Sequence, residues 1–432
     1  MKSVSRIALG AALAFGGSAV LFTTAAEAQR APRGNRQQQQ QQQQASVQVG
    51  SRALALSAEE RTALVALDAA VRATDRAAQD AALAAAQPVA RSADARYAFG
   101  RYQLQLGLQR NDVALQTQAL ETLIASGSAP AEEMPVYLSR QFELAQAARD
   151  FPRAERALSR LIELRPNDID TQVALAQLRI SQRNVAEGLP ILQRAIAARQ
   201  ASGQPVPESW LRYALAAAYD SPDARVKQQS LGFARTLVTA YPTPVNWRDA
   251  LTIYREVGNL DAAASLDVLR LARVAGALNG ERDYGMMAEA LNQSGLPGEA
   301  KAVLDEGVRV RQIDAARSPF REMLSLANQR IPADRADLPS SQRTALAAAT
   351  GVPALRTGDA FLGYARYPEA IALYQAALQK GGVDTNVANT RLGIALALAG
   401  RRPEAEAAFR AVTGARADVA ALWLLWLSQR TG

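Results

Sequence analysis

The chain has 432 residues, 49% hydrophobic and 21% charged, with a formal net charge of +8. That balance suits a well-packed soluble protein. There is no Cys and no His, which excludes disulfides, thiol nucleophiles, an acylated N-terminal cysteine, nearly all protein zinc sites and every triad with an imidazole base.

Residues 1–6 carry Lys2 and Arg6, residues 7–22 are apolar and small, and Ala26-Glu27-Ala28 is a small-x-small cleavage signal. This is the layout of a secretory signal peptide over residues 1–28, cut after Ala28. The apolar run is short for a membrane anchor, and no later stretch is long enough to span a bilayer once the leader is removed. The expectation is export to the periplasm of a Gram-negative-type bacterium. Nucleic acid is not expected as a partner despite the positive charge. The basic residues are nearly all Arg, and no compact basic stripe with interleaved aromatics occurs.

Residues 29–50 contain a run of glutamines at 37–44 with Pro32 and Gly34 nearby. Such a segment cannot bury apolar surface and reads as a disordered Gln-rich linker. Ser57 begins the first helix, with Glu59 and Glu60 in a first turn that favours negative charge. From there helix follows helix with no alternating strand pattern. Residues 51–130 read as N-terminal helical hairpins, degenerate repeats in which Gln87-Pro88 interrupts and residues 93–107 and 112–126 form a loose second hairpin.

Over residues 131–415 a repeat becomes legible. Ala154 and Gly188 head similar helices 34 residues apart, each followed by leucines at helical spacing. Residues 205–241 form a longer, degenerate unit with Trp210 and Tyr213 on one helix and Leu231, Phe233 and Leu237 on the next. Trp247, Leu251, Tyr254 and Gly258 follow in order, then Gly295 to Ala300. Residues 313–350 hold Pro319, Pro332 and Pro339, so their helices are expected to be short or bent.

The clearest copy spans residues 358–409. Gly358, Phe361, Ala370 and Tyr374 are answered by Gly393, Leu396, Ala405 and Phe409, an offset of 35 residues. Two helices approach closely only where side chains are small, so the glycines and alanines mark the contact and the larger apolar residues fill the gaps beside them. A single pair cannot bury its apolar face alone, and neighbours must stack.

This pattern resembles the tetratricopeptide repeat family. The resemblance implies an all-α fold, a right-handed α-solenoid of stacked helix-turn-helix (TPR-like) repeats. It also implies a concave groove, lined by the first helix of each pair, that binds a protein or peptide. Projected onto this sequence, the groove candidates are Arg140, Glu143, Gln177, Arg248, Thr252, Arg255, Arg282, Glu289 and Asn292. Arg248, Arg255 and Arg282 suit bidentate bonds to a partner's carboxylates. The paired Lys and Asn with which the family grips a C-terminal carboxylate are missing here.

Residues 416–432 form an apolar C-terminal capping helix. A terminal cap usually has a polar outer face, yet residues 422–427 are all apolar. Either Leu422, Trp423 and Trp426 pack on the preceding pair, with Leu424 and Leu427 partly exposed, or Leu422, Trp423, Trp426 and Leu427 form a helix for docking or self-association.

No catalytic, cofactor-binding or metal-binding residue stands out. The carboxylate pairs Glu59/Glu60, Glu132/Glu133, Asp168/Asp170 and Asp305/Glu306 sit mainly where helix starts explain them. There is no Gly-rich phosphate loop followed by Lys and no Ser-x-x-Lys, and lysines stand only at 2, 227, 301 and 380. The reading is a non-catalytic scaffold or adaptor of the cell envelope that needs no cofactor. The alternative is an enzyme or accessory subunit of cell-wall processing, in which a helical superhelix supports a carboxylate acid.

Overall fold

The structure, a computed structural model, describes residues 20–21, 46–49 and 52–430. The calls on the signal peptide and the glutamine run fall almost wholly outside the described residues. The chain divides into two compact units, residues 1–195 and 196–432.

The first unit opens on antiparallel strands. β1 (Val20–Leu21) pairs with β2 (Ser46–Val49), and β2 pairs with β3 (Arg52–Ala55). Leu54 and Leu56 point into the core while Ala53 and Ala55 are exposed, the period of two that a strand requires. This corrects the expectation for the end of the 29–50 linker and for the start of the helical segment at residue 51; from Ser57 on, the described residues hold no strand, as expected. Residues 46–56 carry their own apolar alternation, which the composition of the glutamine tract hides.

Eight helices follow: α1 (Ala58–Arg72), α2 (Arg76–Ala86), α3 (Ala93–Gln109), α4 (Val113–Ala125), α5 (Met134–Ala147), α6 (Phe151–Leu164), α7 (Ile169–Ser181) and α8 (Val185–Ala201). The division between the units falls within α8. Short polar side chains start most of them by accepting otherwise unpaired backbone N–H groups: Ser57, Asp75, Ser92, Asp112, Asp150 and Asp168. Ser57 and Glu60 form a reciprocal capping box. Glu60 does more, since its carboxylate also accepts the Ser92 N–H at 2.7 Å and so ties the start of α1 to the start of α3. The hairpin of α3 and α4 is tight, where the sequence reading had it loose. A Cβ on Gly100 would lie 2.9 Å from Leu123 Cγ, and one on Gly107 would lie 2.9 Å from the Gln116 backbone N.

The second unit contains α9 (Glu208–Tyr219), α10 (Ala224–Gln228), α11 (Ser230–Ala240), α12 (Pro244–Val257), α13 (Ala262–Val274), α14 (Gly280–Gln293), α15 (Pro297–Arg309) and α16 (Phe320–Ala347). It continues with α17 (Val352–Gly363), α18 (Tyr367–Lys380), α19 (Thr385–Leu398), α20 (Arg402–Arg410), a short 3-10 turn (Gly414–Arg416) and α21 (Ala417–Gln429). Consecutive helices pack as pairs, and each pair packs on the next, which makes the fold all-α and solenoid-like apart from the strands described. The repeat's small-against-large rule is visible at both copies. A Cβ on Gly358 would lie 2.7 Å from Tyr374 Cε1, and one on Gly393 would lie 2.6 Å from Phe409 Cε1.

Two expectations change in this unit. The segment around Pro332 and Pro339 holds one helix, α16, of 28 residues, which overturns the short alternative of the short-or-bent expectation. The two prolines stand seven residues apart, on one face of the helix, and both are exposed, so the carbonyls that lose their N–H partners reach water. The second change concerns α21, whose sequence is apolar nearly all round. Leu422 and Trp423 are 0% exposed, Trp426 7% and Leu427 4%. The helix lies against α13, α19 and α20, so its apolar residues are spent on this chain's own core. Trp423 stacks on Phe409 at 5.8 Å between ring centroids and meets Trp426 edge-on at 5.5 Å.

Candidate functional site

The faces of α9, α12 and α14 meet in a cavity of about 480 Å³. Helical periodicity puts them there. On α12 the stripe Trp247, Ala250, Leu251 and Tyr254 is buried in the core, which leaves Arg248, Thr252 and Arg255 on another face. On α14 burial of Tyr284, Met287, Ala288 and Leu291 leaves Arg282, Asp283 and Met286 facing the cavity. On α9 Arg212, Leu215, Ala216 and Tyr219 complete the wall.

The charged groups are mostly satisfied within the chain. Arg212 donates to Glu208 at 3.0 Å and to Asn246 at 2.6 Å, and reaches Asp249 at 3.5 Å. Arg248 Nε donates to Asp283 at 2.9 Å. Glu256 accepts from the Tyr219 hydroxyl. All but the Arg212–Glu208 bond run from one helical pair to the next.

Two arginines differ. Arg255 donates Nε to Ser265 Oγ at 3.1 Å and Nη2 to Met286 Sδ at 2.9 Å, and neither bond neutralises it. Burial pushes its pKa below the ordinary arginine value and the Arg282 charge adds to this, against Asp283 and Glu256. Arg282 is exposed. Among the described residues neither Arg255 nor Arg282 has a carboxylate within ion-pair distance.

Four of the nine groove candidates, Arg248, Thr252, Arg255 and Arg282, thus line one cavity. Glu289 is exposed on α14 and accepts from Gln293 at 3.2 Å. Asn292 is half-buried, with its Oδ1 unpartnered. Arg140, Glu143 and Gln177 belong to the first unit. Arg140 donates to Glu143 at 2.9 Å and to Gln116 at 2.9 Å. The sequence reading missed Arg212, Tyr219, Asp283 and Met286. Arg212 precedes Arg248 by 36 residues, close to one repeat period, so extending the register one unit toward the N-terminus would have found it.

A second polar constellation lies inside the same unit and was not foreseen. Asp267, 0% exposed on α13, is shared by three guanidinium groups. Arg270 reaches it at 2.9 Å, Arg391 at 3.2 Å and Arg416 at 2.9 Å. Arg270 also holds Glu299 through two hydrogen bonds of 2.9 and 2.6 Å, while Arg391 pairs with Asp359. The Asp359 carboxylate accepts the Tyr374 hydroxyl at 2.8 Å, and the Asp267 carbonyl accepts Trp423 Nε1 at 3.2 Å. Burial disfavours the Arg270 charge, but Glu299 and Asp267 outweigh it and hold the guanidinium above its ordinary pKa. Every member has partners, as a buried charge cluster requires. The cluster clasps α13 to α15, α17, α19 and the turn before α21.

At least one member of each carboxylate pair has a structural partner. Asp168 caps α7, accepting the Thr171 N–H at 3.3 Å. Glu133 accepts hydrogen bonds from the hydroxyls of Tyr97 and Tyr137. Asp305 pairs with Lys301 at 2.8 Å and Glu306 with Arg273 at 2.7 Å. Among the described residues no group of three or more acidic side chains is placed to hold a metal ion, and no helix is long and apolar enough to cross a membrane.

No family model matches the sequence, and no curated protein does. Among solved structures, one of Naa15/Naa10 bound to HypK-THB is similar at a TM-score of 0.42 and 12% identity, over 82% of this chain and 58% of that one. The chain therefore spans little more than half the length of that match. A tetratricopeptide repeat protein from Parabacteroides merdae gives a TM-score of 0.30 and 13% identity, over 61% of this chain and 99% of that one. The solenoid-like fold stands on the chain's own recurring contact, Gly358 beneath Tyr374 and Gly393 beneath Phe409.

Proposed function

We propose that this chain is a non-catalytic binding scaffold, exported to the periplasm, that holds an extended segment of a cell-envelope protein against α9, α12 and α14. The observation that carries the reading is the cavity itself: equivalent faces of three first helices line it, and those faces include four residues expected at a groove. Apolar Leu215, Ile253 and Met286 supply contact area, while the arginines supply polar groups for orientation. Export is supported by the basic, apolar and small-x-small order of residues 1–28.

A photo-crosslinking residue at Thr252, expressed from the chain with its leader, tests both parts. The expected result is a discrete adduct in the periplasmic fraction that disappears when Ala216→Trp fills the cavity. Val113, which is 55% exposed on α4, is the control position. The same adducts from Val113 and Thr252, unaffected by Ala216→Trp, would remove the groove. Retention of the full-length chain in the cytoplasm would remove the export.

A further inference from the structure

We infer that Arg255 and Arg282 together form a seat for a single carboxylate, so that the segment bound in the α9–α12–α14 cavity carries an acidic residue there. This rests on the reading of that face as a binding groove and adds the chemistry of its ligand. The inference comes from the uneven way in which the cavity's charges are used.

Of its four carboxylates, Asp249 and Asp283 face Arg212 and Arg248, and Glu256 accepts from Tyr219. Asp220 is exposed at the end of α9. Of its four arginines, Arg212 and Arg248 are neutralised by these partners, and Arg255 and Arg282 are not. Arg255 is the better placed of the two. It is half-buried, and its bonds to Ser265 and Met286 fix the guanidinium plane while leaving Nη1 free to donate. A charge held out of water without a counter-ion is costly, and an incoming anion recovers that cost. Arg282 is exposed and brings a second positive charge to the wall of the same cavity from α14. Two like charges held near each other attract an anion between them more strongly than either alone.

Glu256 and Asp220 also line the cavity and repel any anion held there. Arg248, by contrast, is already committed to Asp283 and is not part of the seat, which narrows the set of three arginines that the sequence singles out.

The test uses two fluorescent octapeptides, Ala-Leu-Glu-Ala-Leu-Glu-Ala-Leu and its isosteric glutamine counterpart, titrated with the mature chain and read by anisotropy. The glutamate peptide is expected to bind about tenfold or more tightly, the range of a charge-assisted hydrogen bond. Arg282→Gln and Arg255→Gln should each remove about tenfold of that preference, and Arg255→Lys less, while Arg248→Gln should change it within about twofold. Arg282 is exposed and makes no ion pair, so its variant keeps the test valid even if Arg255→Gln lowers the melting temperature. Equal binding of the two peptides, weakened alike by Ala216→Trp, would overturn the carboxylate seat and leave the groove standing. Failure of both peptides to bind would overturn the seat and the groove together. A preference for glutamate that survives both arginine variants would also overturn the assignment.

Discussion

Gly358 and Gly393 are the residues on which the repeat turns. Each lets a helix pass directly under an aromatic ring, so replacing either asks that ring to move within a packed core. Gly393→Ala is expected to cost about 1–3 kcal/mol, the usual price of overpacking, measured as a lowered urea midpoint at constant slope. The turn that follows each of these helices offers a paired test. Ala365 and Gly400 hold corresponding positions one period apart, with φ of 57° and 76°. Alanine is strained there and glycine is not, so Ala365→Gly should stabilise the chain and Gly400→Ala destabilise it, each by about 0.5–1 kcal/mol. Opposite signs of these two shifts would be the confirming result, and equal signs would refute the account. At Asp267 the stakes are larger, because three guanidinium groups share one buried carboxylate. Asp267→Ala should cost about 3–5 kcal/mol on urea denaturation.

Among the elements, α21 shows how an unusual sequence pattern can leave two readings open. Its continuous apolar run marks it as something other than an ordinary cap. The run alone does not say whether the surface it covers belongs to another molecule or to this one. The structure answers with α13, α19 and α20. Trp423→Ala is therefore expected to destabilise the fold by about 3–5 kcal/mol. It should leave the molar mass by light scattering unchanged under native conditions. A fall in mass without loss of stability would restore the self-association reading. Helix α16 carries the converse lesson: proline argues for a break, yet an exposed proline leaves its orphaned carbonyl to water and the helix continues. The helices that line the cavity were legible because their register repeats, and the residues missed on α9 and α14 follow the same register.

At the scale of the whole molecule, the absence of His and Cys shapes the response to pH. Burial works against the charge on Glu60, but the N–H groups of Ser57 and Ser92 outweigh it and hold the carboxyl below its usual range. Hydrogen bonds from Asn246 and Arg212 do the same for Glu208. A depressed carboxylate contributes stability above its unfolded value, about pH 4.3, and loses it as pH falls through the folded value. Burial pushes Tyr254 up to about 12 and also raises Tyr97 and Tyr367. A raised tyrosine contributes fully below its unfolded value, about 10, and loses that contribution as pH rises through the folded one. The urea midpoint is expected to be flat from about pH 6 to 9 and to fall on both sides. A step near neutrality would contradict this.

By itself the sequence determined the helical class, the 35-residue period and the close contacts at Gly358 and Gly393. All of these follow from spacing along one chain, because helical geometry turns spacing into direction. The pairing of residues 46–49 with 52–55 was also written there, as a period-two alternation beside a tract of misleading composition. Only the tertiary structure decided which arginines are free and which are spent. It alone joined Asp267 to Arg391 and Arg416, 124 and 149 residues away in sequence, and put Trp423 in the core. An ion pair depends on distance in space, and no periodicity within a helix records which distant helix will stand opposite it.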